Sequence, residues 1–279
     1  MKNYLNLMFD VLYEGTKKPT RAKINGEHVA AFSLFGRTLR FDLAAGFPLV
    51  TTRRISWVTA AHELIWMLSG DTNVRYLQQN GVNIWNKWAD DAGNLGPVYG
   101  AQLRHWRAID PAGHGHYEID QVDNLLADIA AVKADPCAAP GRRLILTMWN
   151  VGELKDMALP PCPMVAQFNV TNGKLSCLVT QRSADLFIGL PYDIAVYAML
   201  THVIAHITGL TVGDLVFSLG DAHIYENHVD AVAKQLQRTP RQPPRLTVYN
   251  LGHLDDLELA NLCVDGYTHD EALTAEVAV

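Results

Sequence analysis

The chain has 279 residues, 49% of them hydrophobic, with 23 Lys and Arg set against 29 Asp and Glu. That composition belongs to an ordinary globular protein and excludes disorder as the default. A net charge of −6 with mixed signs also excludes a general nucleic-acid binder, whose affinity comes from clustered basic residues. Any anionic ligand has to be met locally, by a few placed arginines.

Taken in chain order, Met1-Lys2-Asn3-Tyr4-Leu5 lacks the charged, apolar and small-residue plan of a signal peptide. Apolar residues at helical spacing predict a helix over Trp57 to Leu68, closed at Ser69-Gly70. Glu63 sits inside it, an isolated acid that is either solvated on one edge or buried for a purpose. Leu144 to Trp149, Met164 to Val170 and Lys174 to Thr180 read as strands, and Asn172-Gly173 between the last two is a hairpin signal. Cys162 then lies just before a strand and Arg182 just after one, so the hairpin brings them together. Ile194 to Thr208 reads as a buried helix ending at Gly209. The longest apolar segment, Ile194 to Leu210, falls short of the ~20 residues of a membrane span and carries His202 and His206. Leu215 to Ser218 reads as a further strand leading into Gly220-Asp221-Ala222-His223-Ile224-Tyr225.

No repeat or linker divides the sequence, so one domain over residues 1–279 is expected, mixing α and β with antiparallel pairing and without doubly wound alternation. Cys137, Cys162, Cys177 and Cys263 have no C-x-x-C spacing. Reduced thiols in a cytoplasmic protein, no metal and no membrane are the expectations.

Leu159-Pro160-Pro161-Cys162-Pro163, Gln181-Arg182-Ser183-Ala184-Asp185 and Gly189-Leu190-Pro191-Tyr192-Asp193 carry the most chemistry. A cysteine between prolines, an arginine able to activate it or to hold a phosphate, and two acids look like an anchored nucleophile facing an anionic substrate. Further segments are Phe47-Pro48-Leu49-Val50-Thr51-Thr52, His62-Glu63-Leu64-Ile65-Trp66, Ile84-Trp85-Asn86-Lys87-Trp88, Leu95-Gly96-Pro97-Val98-Tyr99-Gly100 and Trp149-Asn150-Val151-Gly152-Glu153-Leu154. On these residues, from about Gly15 onward, the chain resembles the thymidylate synthase family, with its pyrimidine methylases and hydroxymethylases.

The resemblance implies an α+β fold with a large, mostly antiparallel twisted sheet, flanking helices, and a sheet face forming a homodimer interface. It implies covalent addition of Cys162 to C6 of a pyrimidine nucleotide and capture of the one-carbon unit of 5,10-methylenetetrahydrofolate at C5. Such a nucleophile needs a pKa lowered by nearby cations. By the same resemblance Glu63, Tyr99 and Asn150 manage protons, and Arg21, Gln181, Arg182 and Ser183 contact the nucleotide, with Arg142 and Arg143 reaching into the partner subunit's site. The segment Pro136 to Gly141 ahead of these two is slightly longer than the family's. His223 and Tyr225 match the sugar contacts. Trp85, Trp88, Asp185, Leu186, Gly189, Tyr192 and the terminal Val279 match the folate wall. Without the family, plain core packing suits Trp85 and Trp88, and a solvated surface pair suits Arg142 and Arg143.

Two positions depart from thymidylate synthase. Asp193 stands where the family has asparagine, and Pro163 where it has histidine after the nucleophile. Uracil offers an N3–H donor and an O4 acceptor, which an amide satisfies; cytosine reverses both, and a protonated carboxyl complements it. Each mismatched buried group costs about 1–3 kcal/mol, so the exchange points to a dCMP-like substrate. The competing role for Asp193, capping a helix that begins at Ile194, suits asparagine equally and explains neither change. Both tryptophans and an apolar tail of the kind that seals the family's site favour reduction to 5-methyl-dCMP. The alternatives are dCMP 5-hydroxymethylation, thymidylate synthesis from dUMP, and an inactive nucleotide- or RNA-binding homologue. Cytosine-modifying members are best known from phages, so the expected compartment is the cytoplasm, a host's if phage-encoded.

Overall fold

The computed structural model describes residues 1–278. Val279, expected at the folate wall, lies outside the described residues. Six strands form the main sheet: β1 (Thr16–Lys18), β2 (Ala31–Asp42), β3 (Ile145–Thr147), β4 (Pro163–Thr171), β5 (Lys174–Asp185) and β6 (Thr211–Tyr225). Their order is β1-β2-β6-β5-β4-β3, antiparallel throughout except for β6 beside β5. Asn172 and Gly173 take φ of 52° and 71°, the positive pair that lets a two-residue turn join twisted strands, and so β4 and β5 form the expected hairpin.

The flanking helices are α1 (Lys2–Glu14), α2 (Trp57–Leu68), α3 (Tyr99–Arg104), α4 (Gln121–Ala134), α5 (Gly189–Thr208) and α6 (Val229–Leu236). Ser56 caps α2, its hydroxyl accepting from the Thr59 amide at 3.2 Å. α5 returns the chain from β5 to the parallel β6 and ends at Gly209, whose φ of 62° is the left-handed cap. It starts at Gly189, a turn earlier than the pattern predicts, because Pro191 falls in the first turn, where an amide hydrogen has no helical partner to lose. By length and composition α5 is able to cross a membrane, yet 72% of its most apolar window is buried inside this fold. Trp66, Phe168, Phe187 and Phe217 are fully buried between the helices and one face of the sheet. On the other face Ile145, Gln167, Leu178 and Val216 stand in register across four strands, and Ile145 and Leu178 are exposed.

β5 and β6 are longer than the apolar pattern predicts. Gln181 to Asp185 continue β5 instead of following it, and Gly220 to Tyr225 continue β6. Backbones crowd there: a Cβ on Gly220 would sit 2.8 Å from the Arg182 carbonyl oxygen, so glycine lets the parallel pair run unbroken into the site.

Candidate active site

Because β5 and β6 run the same way, both deliver their C-terminal residues to one edge of the sheet. A cavity of about 800 Å³ opens there. The residues lining it come from β4 and its approach (Cys162, Pro163), β5 (Gln181, Arg182, Ser183, Asp185), α5 (Gly189, Tyr192, Asp193), β6 (His223, Tyr225) and α2 (Glu63). Arg21, Trp85, Trp88, Tyr99 and the tail residues Val277 and Ala278 also line it.

Four expected residues lie elsewhere. The Leu186 side chain is fully buried in the core rather than at the cavity. Asn150 turns to Glu153, donating to its carboxylate at 3.2 Å, while its own oxygen accepts from the Gly152 amide. Arg142 and Arg143 are exposed on a 3-10 turn before β3, outside the cavity.

Cys162 is fixed through its backbone. Its amide donates to the Tyr99 hydroxyl at 3.2 Å and its carbonyl accepts from the Arg182 amide at 2.9 Å. Pro163 next to it has no amide hydrogen and stands at a β-bulge, where the ladder needs none. The Arg182 guanidinium donates to the carbonyls of Pro161 at 2.8 Å and Pro160 at 2.7 Å, and lies over the Trp149 ring. Arg182 therefore clamps the segment that carries the thiol. Its charge pulls the thiol down but does not prevail as expected: burial, then the negative charge of Asp193, push Cys162 up to about 11 against Arg182 and Arg21.

Glu63 is half-buried in the cavity wall, its carboxylate accepting from the Trp85 indole at 2.9 Å. Burial, with the charge of Asp193, raises it to about 7. Asp193 sits inside α5, four residues past its start, and does not cap it. Burial raises it also to about 7, opposed by a hydrogen bond in which the Gln181 amide donates to Oδ2 at 2.7 Å. Two acids that line the cavity with the thiol are thus both raised toward neutrality.

Asp185 behaves oppositely. Burial acts to raise it, but His228, the charge of His223 and the Ile188 amide hold it below the ordinary carboxylate range. Its Oδ1 accepts from the amides of Phe187 at 3.0 Å and Ile188 at 3.2 Å, at the entry to α5. His223, its register partner on β6, is raised despite burial by Asp221, which is itself held by Lys18 and by the Ser33 hydroxyl at 2.6 Å. Sequence reasoning missed this support and His228, since partners up to 203 residues apart leave no local pattern. Trp149, quoted only within a motif, floors the arginine.

The tail is held by its backbone. Asn227 donates to the Glu276 carbonyl at 2.9 Å, His228 Nε2 lies 3.0 Å from the same oxygen, and Lys87 donates to the Val277 carbonyl at 3.1 Å. Trp88, Ile84, Tyr192 and the tail therefore face the cavity with flat or apolar surface, next to a carboxylate kept ionised. Such walls fit a planar heterocycle bearing ring nitrogens and an amino group. The sequence model of one family, described as thymidylate synthase, matches residues 2–279.

Proposed function

Because the chain belongs to the thymidylate synthase family, whose members transfer a one-carbon unit from methylenetetrahydrofolate to C5 of a pyrimidine nucleotide, we propose that its substrate is deoxycytidylate and its product 5-methyl-dCMP. The observation that carries the choice of base is Asp193, a carboxyl in the cavity wall that holds its proton up to about pH 7. A neutral acid donates to one ring position and accepts from the next, as cytosine N3 and its 4-amino group require. Pro163 leaves the neighbouring wall without the imidazole that serves a 4-oxo group in the family.

Arg21, Arg182 and Ser183 hold the phosphate, together with Arg142 and Arg143 of the partner subunit. Their exposure away from their own cavity supports that exchange, and the row of Ile145, Leu178 and Val216 supports the sheet face as the dimer contact. His223, oriented by Asp221, and Tyr225 hold the sugar. The Cys162 sulfur forms a bond to C6 as its proton leaves, and C5 gains the electron pair. A substrate that keeps Asp193 neutral removes the largest negative charge effect that opposes the thiolate, so base recognition and nucleophile activation are linked. Glu63, poised near 7, relays protons with Tyr99, and expulsion of Cys162 follows loss of the C5 proton. Methylenetetrahydrofolate supplies the carbon and, for a methyl product, the hydride; Trp85, Trp88, Asp185, Gly189 and Tyr192 hold it. The tail's backbone clasp excludes water, which favours the methyl over the hydroxymethyl product.

The test incubates the protein with methylenetetrahydrofolate and dCMP or dUMP tritiated at C5. Tritium release from dCMP with rising dihydrofolate absorbance is expected. Release from dUMP alone overturns the base assignment. A product heavier by one oxygen, without that absorbance, replaces methylation by hydroxymethylation.

A further inference from the structure

A neutral carboxyl is an ambiguous reader of bases. With its proton on one oxygen it matches cytosine; with the proton on the other it presents the reverse pair and matches uracil. Asp193 alone therefore does not choose. Something has to fix which oxygen carries the hydrogen.

Gln181 has the geometry to do so. Its side chain is 2% exposed, and its Nε2 donates to the Ser183 carbonyl at 3.0 Å and to Asp193 Oδ2 at 2.7 Å. A carbonyl never donates, so the Ser183 oxygen dictates that the amide nitrogen, not its oxygen, points this way. The second N–H then falls on Oδ2, and a carbonyl oxygen accepts it better than a hydroxyl oxygen does, which draws the carboxyl proton to Oδ1. The amide keeps this orientation although its Oε1 is buried without a partner, since turning it over would set two lone-pair oxygens against each other. Gln181 is also the register partner of Pro163 across β4 and β5, so the residue that holds Oδ2 stands beside the position where Pro163 replaces the family's histidine.

We propose that Gln181 is a positioning residue that favours the Asp193 proton on Oδ1, leaving Oδ2 as acceptor toward the 4-amino group and Oδ1–H as donor toward N3. The inference rests on the deoxycytidylate reading and deepens it. Gln181 touches Asp193 rather than the base, and acts by disfavouring the carboxyl's second arrangement.

The deciding variant is Gln181→Met, close in volume and without a donor. C5 tritium release from dCMP and dUMP is measured on the full-length variant. The preference for dCMP should fall between about fivefold and a hundredfold, mainly because dUMP turnover rises once the proton is free to change oxygens. An equal loss on both nucleotides, or an unchanged ratio, overturns the proposal. A second measurement needs no variant at Gln181: the infrared difference between the native protein and Asp193→Asn isolates the carboxyl C=O stretch of Asp193 at pH 6. A band lowered by a strong accepted hydrogen bond is expected, and one at the position of a free carbonyl overturns the proposal. Native protein that turned over dUMP alone would remove the base assignment and the selection built on it, while the infrared band still judges the Gln181 contact by itself.

Discussion

Asp185 and Asp193 flank the first turns of the same helix, line the same cavity and are both partly buried, yet their carboxyls are shifted in opposite directions. Asp185 has two backbone amides on one oxygen and two histidines in range, so its charge is met. Asp193 has one amide donor, from Gln181, and faces other acids, so burial prevails and the proton stays to about pH 7. The number of donors and cations, rather than depth, decides whether a carboxyl in this wall is an anion or an acid. One site thereby holds a fixed charge for one ligand and a neutral hydrogen-bonding pair for the other.

The largest test of that contrast is Asp193→Asn. An amide restores the donor that uracil's O4 needs, and the dCMP-to-dUMP preference should move toward dUMP by about two orders of magnitude, read from tritium release. An unchanged preference would remove Asp193 from base selection. Next, Asp185→Asn deletes the fixed charge and should raise the KM for methylenetetrahydrofolate roughly tenfold or more with little effect on nucleotide binding. Equal losses for both ligands would break the division of labour.

Stability against pH sharpens the contrast further. Asp193 and Glu63 are raised from 3.8 and 4.5 to about 7, so below the lower values both folded and unfolded chains are protonated. As pH rises toward 7 the unfolded chain ionises first, and stability is lost at about 1.4 kcal/mol per pH unit for each group, levelling off above 7. Asp193→Asn should flatten that fall in urea midpoints between pH 5 and 7.5; an equally steep fall contradicts the raised value. The smallest effect is on the thiol. Because the charge of Asp193 opposes the Cys162 thiolate, Asn at that position should speed alkylation of Cys162 by iodoacetamide a few-fold at pH 8, where an unchanged rate would separate the two groups.

Much of this was legible in the residues wherever the signal is local. Asn172-Gly173 fixes a hairpin and Gly209 a helix end by backbone conformation alone. The polar run Gln181 to Asp185 hid its strand character, because four of its five residues face a cavity and carry no apolar alternation. Pro191 obscured the start of α5, since proline in a first turn and proline as a breaker look the same in sequence. Leu186 matches a family wall position yet faces the core. The raised thiol was not legible at all, because it depends on how deeply the loop is enclosed and on which nearby charges outlast burial.

Arg182 grips the carbonyls of Pro160 and Pro161, not the sulfur. The loop's shape is thus set by atoms that take no part in bonding to the ring. A protein with serine at Cys162 should keep an intact pocket that accepts both ligands yet stalls before chemistry, which makes it the natural form in which to crystallise the complete assembly and see the base as it is first read.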